Sequence, residues 1–190
     1  VTKDLMDDVA AVDVNDIFPY TTNTEGIRDY TETSPGPGGY NDSVAANPNS
    51  ANRVRGLLPH DITRDYFFSL GRDIGFDSYN LDQVTIVRGP NSILAGLGSP
   101  AGIVNYSPQT ASLGRNNNLV SFRFGSWGDQ RAVLNSNYII KDDVLAVRVA
   151  GAWSHRGFQQ KPAKHSDRRL YGTVAYRPWA KTTIRARYEP

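Results

Sequence analysis

The sequence predicts a mixed α+β domain over residues 1–114 followed, over residues 115–190, by an antiparallel β meander of the kind that starts a transmembrane β-barrel. Three observations predict it. From Asn118 onward apolar and polar residues alternate in five segments, the period of a strand with two unlike faces. Those segments run to about nine to eleven residues, the length a tilted strand needs to cross a bilayer and well above the soluble average of about five to six. Before Gly114, apolar runs are short and bounded by Gly, Pro or Asp, after one weakly helical stretch at the start.

In chain order, residues 2–17 predict one or two short helices. Thr2 is a candidate N-cap, Asp4, Asp7 and Asp8 sit where the helix dipole favours acid, and Leu5, Val9 and Val12 share a face. Residues 34–52 combine Pro, Gly, Asn and Ser with almost no large apolar group, which makes them a long loop. Apolar runs at 54–58, 66–70 and 84–87 predict short strands.

The meander follows. Val120, Phe122 and Phe124 alternate with Ser121 and Arg123, and residues 125–129 turn the chain. Ala132, Leu134, Ser136, Tyr138 and Ile140 then oppose Arg131, Val133, Asn135 and Asn137, with a tight turn at 141–143. Leu145, Val147, Val149, Gly151 and Trp153 oppose Ala146, Arg148, Ala150 and Ala152, and a long polar loop is expected over 155–167. Leu170, Gly172, Val174 and Tyr176 oppose Arg169, Tyr171, Thr173 and Ala175. After a turn at 177–181, Ile184, Ala186 and Tyr188 oppose Arg185 and Arg187. Aromatics gather at strand ends, as an interfacial girdle would place them, and tight and longer connections alternate as in outer-membrane barrels. A soluble β-sandwich or barrel with one wet face shares the same alternation. Against it stands the recurrence of arginine on the non-apolar face of every strand, which calls for an acidic surrounding.

Charge separates the same two regions. The chain has 21 basic and 19 acidic residues, but the balance is −7 up to Gly114 and +9 from Arg115. A basic half can bind nucleic acid, or two unlike halves can dock on each other. Arginines spread one or two per strand, without an aromatic base-stacking motif, disfavour nucleic acid. There is no nucleophile elbow, and His60, His155 and His165 are scattered without metal spacing, so no catalytic residue, no metal ligand and no cofactor is expected. The chain has no cysteine and hence no disulfide framework.

The run Val84-Thr85-Ile86-Val87-Arg88-Gly89-Pro90-Asn91-Ser92-Ile93-Leu94-Ala95-Gly96, leading through a Gly-rich turn into Gly102-Ile103-Val104-Asn105, resembles the plug of TonB-dependent outer-membrane receptors. Arg53-Val54-Arg55-Gly56-Leu57 and Arg64-Asp65-Tyr66-Phe67 are similar to the plug's Arg-Gly-Phe and Asp-Gly segments. The resemblance covers essentially the whole chain. It implies an α+β plug domain over 1–114 and the first about five of roughly twenty-two barrel strands over 115–190, in a piece of a longer protein. Arg88, Gly89, Pro90, Ser92, Gly96, Gly102 and Asn105 would hold the plug's shape. Three departures stand out: Asp65-Tyr66 replaces Asp-Gly, Ala95 replaces an aromatic, and Tyr106-Ser107-Pro108 replaces Thr-Lys.

The function this implies is active transport across the outer membrane of a Gram-negative bacterium, most directly of a ferric siderophore, with an oligosaccharide or another large nutrient as the alternative. Partners implied are the TonB energy-transducing complex, through a segment not in this chain, the ligand, and outer-membrane lipid, with no nucleic acid. The external apex of the plug corresponds here to Arg64, Tyr66, Phe67, Phe68 and Arg72, which offer a cation and flat apolar faces to a bulky anionic chelate. Arg123, Arg131, Arg148, Arg185 and Arg187 are expected to point inward toward the plug, and Phe122, Leu134, Val147, Val149, Val174 and Ile184 outward to lipid.

Overall fold

The computed structural model describes residues 1–26, 53–56, 61–68, 77–89, 101–157, 161–162 and 164–190. They form two compact units, Val1–Pro108 and Gln109–Pro190. The division falls after Pro108, so residues 109–114, grouped above with the first domain, pack with the second.

The first unit opens with α1 (Lys3–Asp8), capped by Thr2, whose hydroxyl accepts from Leu5 N at 3.5 Å, and continues through α2 (Val14–Ile17) into a 3₁₀ turn at Phe18–Tyr20. The buried side chain of α1 is Met6, whereas Leu5, expected on the inner face, is exposed. The helix is too short for a full 3.6-residue stripe, and one residue decides its docking. Met6, Ala11, Ile17 and Phe18 join Val54, Leu81, Val84, Ala101, Val104 and Tyr106 in a single core. Ser78 N donates to Val12 O at 3.0 Å and ties the helical opening to the turn before the sheet.

A two-stranded ribbon pairs β1 (Thr24–Glu25) with β2 (Arg53–Val54). The main sheet contains β3 (Asp61–Arg64), β4 (Phe67–Phe68), β5 (Leu81–Val87) and β6 (Ile103–Pro108) in the order β4-β3-β6-β5, with only β3 and β6 parallel. Strand β3 was not legible in the sequence, because Asp-Ile-Thr-Arg carries one apolar residue. Tyr66, expected in a strand, lies in the turn between β3 and β4. The expected loop at 34–52 and the motif residues Pro90, Ser92 and Gly96 lie outside the described residues, as does Arg72.

The second unit is an open antiparallel meander of β7 (Asn117–Phe124), β8 (Gln130–Lys141), β9 (Leu145–Gly157), β10 (Lys164–Trp179) and β11 (Thr182–Tyr188), each paired with the next. Within the expected loop at 155–167, residues 155–157 and 164–167 are strand: the β9–β10 ladder continues to Gly157↔Lys164, and His155 and His165 lie on it. Backbone pairing needs no apolar side chain where both faces can be wet, so the ladder outlasts the apolar alternation. The turn expected at 177–181 narrows for the same reason, since Trp179 still pairs with Thr182.

Register sets the two faces. Leu134↔Gly151↔Leu170 and Tyr138↔Val147↔Val174↔Ala186 lie on one, and Asn137↔Arg148↔Thr173↔Arg187 on the other. Phe122, Leu134, Val149, Val174 and Ile184 are exposed, while Val147 is half-buried between its cross-strand neighbours Tyr138 and Val174. The opposite face buries Ala146, Ala150, Tyr171, Thr173 and Ala175.

Candidate functional site

Arg64 pairs with Phe67 across a two-residue turn, Asp65-Tyr66, in which both residues have positive φ (50° and 66°). This is the backbone of a primed hairpin turn, for which glycine is the easy second residue. Tyrosine at that position is strained by about 1 kcal/mol or more, and a neighbouring strand compensates. Asn105, on β6 beside Thr63 of β3, is fully buried, and its Oδ1 accepts from Tyr66 N at 2.7 Å and from Thr63 Oγ1 at 3.0 Å. Its Nδ2 donates to Ser107 Oγ at 3.3 Å. A buried amide thus locks the turn that presents Tyr66 (52% exposed) and Phe67 (78% exposed).

Of the expected ligand residues, Arg64, Tyr66 and Phe67 therefore share one hairpin, with Arg64 half-buried at its base. Phe68 is the last residue of β4, and Arg72 lies outside the described residues.

The motif residues that are described are built into the junction of β5 and β6. Arg88 directly follows β5, and its Nε is buried without a hydrogen-bond partner among the described residues. It lines a cleft of about 280 Å³ together with Thr21, Val84, Thr85 and Ile86. Gly89 (φ 73°) faces the Arg55 guanidinium, which would lie 3.3 Å from a Cβ placed there. Gly102 (φ 133°) is stricter, because a Cβ would come within 2.4 Å of Val87 O. Next to Asn105, burial reinforced by the charge of Asp13 pushes the Tyr106 phenol well above its usual pKa.

On the meander, register and burial put Arg123, Arg131, Arg148, Arg185 and Arg187 on the face opposite Phe122, Val147 and Val174. Arg148 is held by two hydrogen bonds: its Nη1 donates to Asn135 Oδ1 at 2.9 Å and to Gln109 Oε1 at 2.8 Å. Asn135 Nδ2 also donates to Gln109 Oε1, and Tyr171 OH donates to Gln109 O at 2.8 Å. Farther along, Asn137 accepts from Ser112 N at 2.8 Å and donates to Ser112 O at 3.0 Å and Arg115 O at 2.8 Å. Ala111 packs on Ala146 and Ala175. Residues 109–115 are thereby strapped to the polar face. Sequence reasoning missed Gln109, Asn135 and Asn137 as a group, and the one available signal was Asn at alternate positions of a strand, where this residue type is normally depleted.

Among the described residues no group of three or more His, Asp or Glu side chains is placed to hold a metal ion.

No protein-family model matches the chain. Solved structures do. The pyoverdine outer-membrane receptor FpvA of Pseudomonas aeruginosa, bound to pyoverdine, is 17% identical with a TM-score of 0.80, over 100% of this chain and 26% of that one. The ferric-catecholate import receptor Fiu of Escherichia coli K12, in its closed form, is 18% identical with a TM-score of 0.80, over 100% and 25%. The alcaligin outer-membrane receptor FauA of Bordetella pertussis is 21% identical with a TM-score of 0.75, over 100% and 30%. The chain thus spans about a quarter to a third of the receptors it matches. Along its whole length this chain has the fold of outer-membrane siderophore receptors, an α+β plug followed by the antiparallel meander that starts a transmembrane β-barrel.

Proposed function

We propose that the intact protein is a TonB-dependent receptor in the outer membrane of a Gram-negative bacterium and that it imports a ferric siderophore. The observation that carries this reading is full-length agreement of fold with three receptors whose ligands are pyoverdine, ferric catecholate and alcaligin. The hairpin at 64–67 supports it independently. Exposed Tyr66 and Phe67 offer flat apolar faces and Arg64 a cation, a combination suited to a bulky anionic chelate. Arg123, Arg131, Arg148, Arg185 and Arg187 face the barrel interior in this reading, and the apolar belt from Phe122 to Ile184 faces lipid. The plug is then the element that the TonB complex acts on, and iron is the cargo, not a resident cofactor.

Growth of a deletion strain on a panel of iron sources tests the proposal. Loss of growth on one siderophore, restored by the wild-type gene and only weakly by Phe67→Ala, is the expected result. Unimpaired growth on every siderophore, with a defect on an oligosaccharide instead, would transfer the function to another large nutrient.

A further inference from the structure

The outward face of the meander changes character abruptly at one end. Along β10 the outward positions run Tyr176, Val174, Gly172 and Leu170, then Arg168, Ser166 and Lys164. Opposite them β9 runs Leu145, Val147, Val149, Gly151 and Trp153, then His155 and Gly157. From Tyr176 to Arg168 the strand advances about 26 Å, or about 20 Å across a bilayer at a tilt of about 40°, close to the ~25 Å apolar band of such barrels. Arg168, paired in register with Trp153, therefore stands at the polar boundary, and Lys164 stands two outward positions beyond it.

Both cations are exposed, and among the described residues no carboxylate pairs with either. The nearest acid in sequence, Asp167, points through the sheet to the other face and holds Arg169. Between the two cations, His155 Nδ1 and Ser166 Oγ share a hydrogen bond of 2.7 Å. At the opposite end the turn is mixed in sign, with Asp142 and Asp143 following Lys141. Gly157 keeps the first end compact: a Cβ there would come within 2.0 Å of Trp127 O, so the 126–128 turn closes directly over β9, with the Trp127 side chain exposed.

We propose that Lys164 and Arg168 form a docking surface for the phosphate headgroups of an anionic lipid, held beside Trp153 at this end of the barrel. The inference rests on the membrane reading above. An unpaired guanidinium beside an interfacial indole is suited to a phosphate at headgroup depth, since Arg offers a fork of donors to phosphate oxygens while the ring sits among the upper acyl carbons. Lys164 adds a second charge farther out, and the apolar residues below are suited to the acyl chains of the same lipid.

The test uses the intact protein folded into bilayers of phosphatidylcholine and phosphatidylglycerol, with bromine on the chains of one lipid or the other. Quenching of Trp153 is isolated by subtracting the signal of Trp153→Phe. Brominated phosphatidylglycerol is expected to quench Trp153 at least about fivefold more effectively per mole than brominated phosphatidylcholine. The preference should vanish in Lys164→Gln/Arg168→Gln and persist in Lys181→Gln at the other end, each variant being checked for native circular dichroism. A preference retained in the double variant, or absent from the wild type, overturns the proposal. Abolition of the preference by inorganic phosphate also overturns it, in favour of a plain anion site. Trp153 unquenched by either lipid would overturn the membrane reading itself, an outcome distinct from loss of the preference alone.

Discussion

The side-chain oxygen of Asn105 accepts the backbone N–H of Tyr66 at 2.7 Å, and this one bond joins the buried sheet to the exposed turn of the plug hairpin. Asn105 is the last residue of the recognisable motif, and Tyr66 stands where glycine is usual. The two facts explain each other. A tyrosine forced to φ 66° needs an anchor, and a buried amide oxygen on the adjoining strand supplies it.

Asn105→Ala is expected to destabilise the first unit by about 2–4 kcal/mol, because the Thr63 hydroxyl and the Tyr66 N–H lose their acceptor in a buried setting. Denaturant unfolding of the intact protein, followed by a plug-specific probe, measures it. A loss under about 0.5 kcal/mol would mean that water replaces the amide.

Tyr66→Gly is expected to leave the hairpin as stable as before or up to about 1 kcal/mol more stable, since relief of the positive-φ strain offsets glycine's entropy. Under the proposed function, siderophore affinity should nevertheless fall, because the exposed ring is gone. Parallel measurement of stability and ligand affinity separates the two effects. Unaltered affinity would remove the hairpin from the ligand surface.

Gly102→Ala is expected to be among the most damaging single substitutions in the plug. Its Cβ would meet Val87 O at 2.4 Å in a backbone region that L residues rarely occupy, and a cost of about 3 kcal/mol or more follows. Loss of folded yield or of plug protease resistance would register it. Near-normal stability would show that the β5–β6 junction shifts freely.

Tyr106 is expected to make the first unit sensitive to alkali. In the folded state burial and Asp13 raise the phenol's pKa, while in the unfolded chain it ionises near 10. Above about pH 10 the unfolded state thus binds fewer protons than the folded one, and stability falls by about 1.4 kcal/mol per pH unit until the folded value is reached. Below pH 10 the residue contributes no slope. Unfolding curves of wild type and Tyr106→Phe, compared over about pH 9 to 12, should diverge in this direction, and parallel curves would refute the shift.

Val147→Arg is expected to cost about 2–4 kcal/mol of barrel stability, as a charge in the lipid-facing belt at mid-strand. Folding titrations into bilayers measure it. The same substitution at Ser154, on the polar face near the strand's end, should cost far less. Equal effects would contradict the assignment of faces.

The alternation from Asn118 to Tyr188 determined the number of strands in the meander, their order and which residues share a face, because consecutive strand side chains point to opposite sides whatever lies around them. The Arg88-Gly89-Pro90 and Gly102-to-Asn105 segments likewise announced the plug, because backbone at positive φ or in close approach restricts residue choice at single positions. Tertiary structure alone decided where the strands stop, since backbone pairing carried β9 on to Gly157 and started β10 at Lys164, beyond the apolar alternation. It also decided the role of the polar side chains. Gln109 meets Arg148 across 39 residues of chain and Asn105 meets Tyr66 across 39, and such pairs leave no local pattern, because the partner that satisfies a buried amide or guanidinium is chosen by register and packing and not by sequence neighbours.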